Sequence, residues 1–443
     1  MSIKVCLRAG AALGALVAVT VSATAQESTT ITVGTVNNSD MVRMQGLTSD
    51  FEEKNPGITV NWVTLEENIL RQRVTTDIAT NGGQFDVMTI GTYEVPIWAK
   101  QDWLAPLDQL GDSYDMDDLI PSIRNALSVE DNLYAAPFYA ESVLTLYRKD
   151  LFEEAGLEMP EQPTWDFIAE AAEKTADKDN GVYGICLRGK PGWGENMGFL
   201  GNMAREFGAN YFDADWQPQF ESEGWKNAIT LYVDLMTKYG PPGAASNGFN
   251  ENLSLFGQGK CAMWIDASVA ASFVTDPEQS QVPDQVGFGA APCGTSDCPN
   301  SGYNWLWAWS LAVPNGSQKQ EAAQKFISWA TSKEYTQLVA EQEGWANVPP
   351  GTRQSLYENQ EYLDAAPFAQ ATIDAINSAD PEPTDDKPYY GLQFAAIPEF
   401  QGIGTAVGQQ MASALSGSTS VDQALSQAQA IATREMTRGG YIE

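Results

Sequence analysis

The sequence contains no histidine. That absence removes Ser-His-Asp and Cys-His catalysis, and it removes histidine-ligated zinc. Basic residues are scarce as well: 25 Lys and Arg stand against 58 Asp and Glu, for a formal charge of −33. A surface this acidic repels phosphate backbones and anionic lipid, so neither nucleic acid nor a membrane surface is an expected partner. Cysteine is limited to five residues. No Gly-x-x-x-x-Gly-Lys-Ser/Thr loop occurs, so the chain is not itself an ATPase of that type. Beyond the N-terminus no apolar run reaches the roughly 20 residues that a membrane-spanning helix needs.

What is present begins with a leader. Lys4 and Arg8 precede an uncharged stretch over 9–21 rich in Ala, Leu and Val. Ala23, Thr24 and Ala25 then put small residues where a signal peptidase reads. The pattern predicts a signal peptide over 1–25 and a periplasmic mature protein; the other reading is a buried first helix. Cys6 lies ahead of the apolar stretch, so it is not a lipid-anchoring cysteine at the cleavage site. The other four cysteines would meet an oxidising compartment, where cysteines pair. Cys293 and Cys298 bracket a short Gly-Thr-Ser-Asp turn and are the first pair expected. Cys186 and Cys261 either bridge two strands or stay as buried thiols. The spacing does not suit a four-cysteine zinc site, and neither metal nor cofactor is expected.

A chain of 443 residues implies two or three domains. Segments 30–36, 58–63 and 85–90 read as strands, and 40–55 and 69–79 between them as helices. Such alternation predicts an α/β fold with mostly parallel pairing. Long strands are expected over 135–147 and 304–313, a shorter one over 259–265, and closing helices over 395–415 and 421–433. In open α/β sheets ligands bind beyond the carboxyl ends of strands. Asn37, Asn38, Glu66, Thr92 and Tyr93 all follow a strand.

The segments, in their order, resemble the extracellular solute-binding proteins of ABC importers, in the branch of the maltose-binding proteins. Phe-Glu-Glu-Lys-Asn-Pro-Gly-Ile-Thr-Val at 51–60, Phe-Asp-Val at 85–87 and Tyr-Arg-Lys-Asp-Leu-Phe at 147–152 carry the likeness. So do Gly-Lys-Cys-Ala-Met-Trp at 259–264 and Ser-Val-Asp-Gln-Ala-Leu at 420–425. Within that group the chain is most similar to the mannitol, sorbitol and arabitol binders, through the stretches at 35–41, 139–142, 188–196 and 264–268. The resemblance implies two α/β lobes joined by crossover strands. Lobe 1 is expected over 26–139 and 314–370, and lobe 2 over 140–313 and 371–443. It further implies a monomer that traps a sugar alcohol in the cleft and delivers it to an inner-membrane permease with cytoplasmic ATPases.

The resemblance also points to contact residues. Asn38, Glu66, Glu141 and Asp266 fall at ligand-contacting positions of the family. Asp40 either binds a hydroxyl or caps the following helix, and Glu66 is a contact or a solvated acid. Tyr93 is a contact or a packed ring. Glu141 sits in an apolar crossover, where an unpaired carboxylate is costly, and Arg188 is its expected partner. Trp193 and Asn196, beside the Gly-rich loop, either reach the ligand or order the loop. Trp305, Trp307 and Trp309 alternate and share one face; one or two are expected at the cleft, Trp307 first. Trp345 and Asn347 are further candidates. The rival readings are a binder of mono- or oligosaccharides, a secreted glycoside hydrolase using Glu141 and Asp266 as its carboxylate pair, and a sensor module for a membrane receptor.

Overall fold

The computed structural model describes residues 28–294 and 304–443. The expected signal peptide, Cys6 and Cys298 lie outside the described residues, and with Cys298 the pairing first expected for Cys293. Among the described residues ten strands follow one another: β1 (Thr29–Val36), β2 (Ile58–Leu65), β3 (Val87–Ile90), β4 (Ser128–Val129), β5 (Asn132–Leu133), β6 (Ala135–Glu141), β7 (Val143–Arg148), β8 (Met263–Ala267), β9 (Val286–Gly289) and β10 (Trp307–Ala312).

Five of them form one sheet in the order β2-β1-β3-β10-β6. β1 pairs parallel with β2 and β3, as the alternation of strands with helices requires. β10 returns antiparallel between β3 and β6. The helix Glu67–Thr80 carries the chain from β2 towards β3. It starts at Glu66, whose carboxylate accepts from the amide of Ile69, and stops at Asn81 in the left-handed conformation. The helical stretch expected over 40–55 is broken at Leu47 into Ser39–Gly46 and Thr48–Lys54.

The second lobe is built on β8-β7-β9, with β7 in the centre. Here the expectation of a mostly parallel sheet is corrected: β7 runs antiparallel to both neighbours. The cause is connectivity, since β7 continues directly from β6 and its two neighbours return against it. Among the described residues the parallel element is reduced to bridges from Thr164 to Cys293, from Tyr183 to Cys261 and from Cys186 to Trp264. A disulfide joins Cys186 to Cys261 across the last two of these bridges. Against the sheet pack the helices Lys149–Glu154, Phe249–Gly257 and Ala369–Ser378, while Asn196–Glu206, Glu223–Tyr239, Phe400–Leu415 and Val421–Gly439 pack on one another.

The long strand expected over 135–147 is interrupted at Ser142, where the chain leaves the first sheet for the second. The crossover is stitched on three sides. The Ser142 hydroxyl donates to the carbonyl of Trp305 at 2.7 Å, and its amide donates to the Ser268 hydroxyl at 3.2 Å. The Ser268 amide donates back to the Ser142 carbonyl at 2.7 Å. β10 lies on the lobe 2 side of the boundary expected at 313/314, yet it is hydrogen-bonded into the five-stranded sheet. Sequence spacing cannot show this, because a returning strand joins whichever edge its apolar residues can cover.

Candidate functional site

Between the two sheets lies a narrow cavity lined by aromatic and charged side chains of both lobes. Its floor comes from the first sheet. In the β6–β10 pairing Glu141 stands opposite Trp307 and Tyr139 opposite Trp309. With side chains alternating along each strand, Tyr139 and Glu141 share a face with Trp305, Trp307 and Trp309. All five border the cavity.

The helix Glu67–Thr80 supplies one wall. Arg71 donates from Nε to Glu67 Oε1 and from Nη1 to Glu94 Oε1, both at 2.9 Å. Its guanidinium lies 4.0, 4.8 and 4.6 Å from the ring centroids of Trp193, Trp307 and Trp309. A cation among three indole faces is held by their quadrupoles as well as by its hydrogen bonds. Asn38, after β1, makes no helix-capping bond; its amide donates to the Tyr139 hydroxyl at 2.8 Å.

The opposite wall belongs to the second lobe. Arg188 meets Asp266 through Nε at 3.0 and 2.9 Å and through Nη2 at 2.6 Å, and its Nη1 donates to the carbonyl of Gly194 at 2.9 Å. Asp266 is fully buried and also accepts from Trp264 Nε1 and the Ala267 amide. A buried carboxylate with this many donors holds Arg188 in place. Trp193 closes the cavity from the Gly-rich loop. At Gly194 a Cβ would fall 2.1 Å from Glu67 Oε1, so glycine lets this loop lie against the helix of the first lobe without displacing the Glu67 carboxylate from Arg71.

Glu141 is the unusual group. It is 6% exposed. Among the described residues its side chain makes no hydrogen bond and no ion pair, since Arg188 is taken by Asp266 and Arg71 by Glu67 and Glu94. Burial pushes its carboxyl up to about 8, and nearby Asp266 and Glu67 oppose the relief given by Arg188 and Arg71. Several other polar atoms of the lining residues lack partners: Nε1 of Trp193, Trp305 and Trp307, and Oε1 of Gln393. Indole donors, an amide oxygen and a carboxyl group together match hydroxyls, which both donate and accept. The tryptophan faces suit C–H surfaces.

Of the residues singled out in the sequence, Asn38, Glu141, Arg188, Trp193 and Trp307 border the cavity, and so do Trp305 and Trp309: all three alternating tryptophans reach it rather than the one or two expected, because they share the strand face that forms its floor. The others are placed behind it or at its rim. Asp40 pairs with Arg43 beneath Asn347 and is held up to about 6 by burial against that pairing. Glu66 caps its helix and bonds Lys190 of the other lobe. Tyr93 donates to the carbonyl of Ile397 and packs on Trp193. Asn196 binds the carbonyl of Gly408 and the amide of Gly192, ordering the loop. Asp266 acts through Arg188, and Trp345 stands on a short turn outside the cavity. Glu141 was expected to pair with Arg188; the geometry gives that arginine to Asp266. Sequence reading passed over Glu67, Arg71, Tyr139 and Gln393. A Glu and an Arg four apart just after a strand were a legible signal; Gln393, in an irregular segment, carried none.

A family model described as bacterial extracellular solute-binding protein matches residues 37–337. The mannitol-binding protein of Pseudomonas aeruginosa is 54% identical over 442 residues, 99% of each chain. A solved ABC transporter solute-binding protein from Agrobacterium vitis, with bound D-mannitol, is 64% identical with a TM-score of 0.91, covering 93% of this chain and 99% of that one. A maltose-bound protein of T. maritima has the same fold at 20% identity, with a TM-score of 0.78 over 93% of this chain and all of that one. Two lobes closed over a cavity, together with these matches, place the chain in the family of bacterial extracellular solute-binding proteins.

Proposed function

We propose that this protein is the binding component of an ABC importer, capturing a linear sugar alcohol of the mannitol type between its lobes and delivering it to a membrane permease. The observation that carries the reading is the 64% identity, across nearly the whole fold, to a protein holding D-mannitol. The cavity agrees with it: the slot is narrow, its walls are aromatic, and its unpartnered groups suit hydroxyls. Binding without chemistry is the reading for the carboxylates. Asp266 is enclosed by Arg188, Trp264 and its own backbone, where it has no room to activate water. The family supports export to the periplasm, and among the described residues no helix is long and apolar enough to cross a membrane.

We assign Asn38, Glu141, Arg188, Trp193 and Trp307 to direct contact, together with Glu67, Arg71, Tyr139 and Gln393. The lobes pivot at Ser142 and at the stretch before β10. Calorimetric titration with D-mannitol, sorbitol, arabitol, maltose and glucose tests the assignment. Micromolar or tighter binding of a hexitol, with maltose silent, is the expected result. Tight maltose binding without any polyol response would overturn it.

A further inference from the structure

We propose that Glu141 enters the closed cavity as a neutral acid that donates to a ligand hydroxyl, so that capture of the polyol takes up a proton. The inference rests on the function proposed above and deepens it. Its ground is a charge count within one closed space. Among the described residues, Glu66, Glu67, Glu94, Glu141, Glu195 and Asp266 stand on or behind the walls, against Arg71, Arg188 and Lys190 as cations.

Each cation is already committed. Arg71 is shared by Glu67 and Glu94 on its own lobe. Arg188 is bonded to Asp266, with Glu195 at 3.7 Å. Lys190 lies between Glu66 at 2.5 Å and Glu195 at 3.3 Å. Nothing positive is left for Glu141, and its strand neighbour Tyr139 is bonded to Asn38. An ionised, unpaired carboxylate in a closed cavity is expensive, and a carboxyl group escapes the cost by binding a proton. The protonated form adds one donor, which a ligand rich in lone pairs accepts.

The sign of the pH dependence follows. Opening the cleft to water returns Glu141 towards its ordinary range near 4.5, while in the closed cavity it lies at about 8. The closed, liganded form therefore holds more protons, and affinity weakens as pH rises between those two values. Linkage sets the limit at about tenfold per pH unit for one proton. Glu195, pushed up to about 7 by burial and by Glu67, stands behind the wall beside Arg188 and Lys190. The experiment must separate the two.

D-mannitol is titrated calorimetrically into wild type and Glu141→Gln from pH 5.5 to 8, each pH in two buffers of different ionisation enthalpy. At pH 6.5 the wild type is expected to take up about one proton more per ligand than Glu141→Gln. Its Kd should rise more steeply with pH, so that the ratio of the two constants moves at least tenfold in favour of Gln by pH 8. Wild-type binding without proton uptake, or parallel pH profiles for the two proteins, overturns the inference while leaving the function intact. Absence of binding by any polyol at every pH overturns both.

Discussion

Arg71 joins both lobes through a single side chain. It is bonded to Glu67 and Glu94 on its own lobe and lies against Trp193 of the other. Arg71→Ala removes a cation from three indole faces and leaves two carboxylates without it. Each such contact is worth roughly 0.5–2 kcal/mol, so polyol affinity should fall about 30- to 100-fold, measured by titration. Arg71→Lys should recover little, because an ammonium cannot span both carboxylates as a planar fork does. At this scale the sequence was legible where side-chain direction follows from strand alternation, as with Glu141 and the three tryptophans. It was misleading where a polar residue merely follows a strand. Glu66 and Tyr93 meet that description and yet turn away from the cavity, one into a cap and the other into a packed cluster.

Two elements hold the cleft shut from its rim: the first turn of the helix Glu67–Thr80 and the Gly-rich loop at 189–194. Lys190 reaches Glu66, and Asn68 donates to the carbonyl of Pro191. Both ends of the ion pair are partly solvated, so it contributes only about 0.5 kcal/mol. Lys190→Glu does more, because it sets three acids together; affinity should drop about five- to tenfold at low salt, and less at high salt. Adding Glu66→Lys should restore part of the loss, read from dissociation rates. Gly194→Ala tests closure together with the Glu67 contact that it crowds. Its new methyl meets Glu67 Oε1 across the cleft, so the ligand-induced rise in Tm should vanish while the Tm of the ligand-free protein stays within a few degrees. Helices were readable here, since caps and periodicity are local. The loop's task was not, since it is defined by what it touches on the other lobe.

For the whole molecule the Cys186–Cys261 disulfide is a covalent constraint on the second lobe. It links residues 75 apart and ties the segment ending in Arg188 to the strand that bears Asp266. Replacing both cysteines by alanine should lower stability by about 2–4 kcal/mol, seen as a lower denaturation midpoint. Polyol affinity should fall as well if the staple keeps Arg188 and Asp266 aligned. The sequence by itself determined the α/β class, the order of most elements and the family, because hydrophobic period, turn residues and motif order are properties of the chain alone. It also brought Asn38, Glu141, Arg188, Trp193 and Trp307 into view. Only the tertiary structure decided that β10 joins the first sheet, that the second sheet is antiparallel, and that Cys186 pairs with Cys261. It also decided that Asp266 rather than Glu141 holds Arg188. Each of these depends on which surfaces meet after the chain crosses between lobes. Glu141 is left without a partner for the same reason, and a local sequence window carries no record of it.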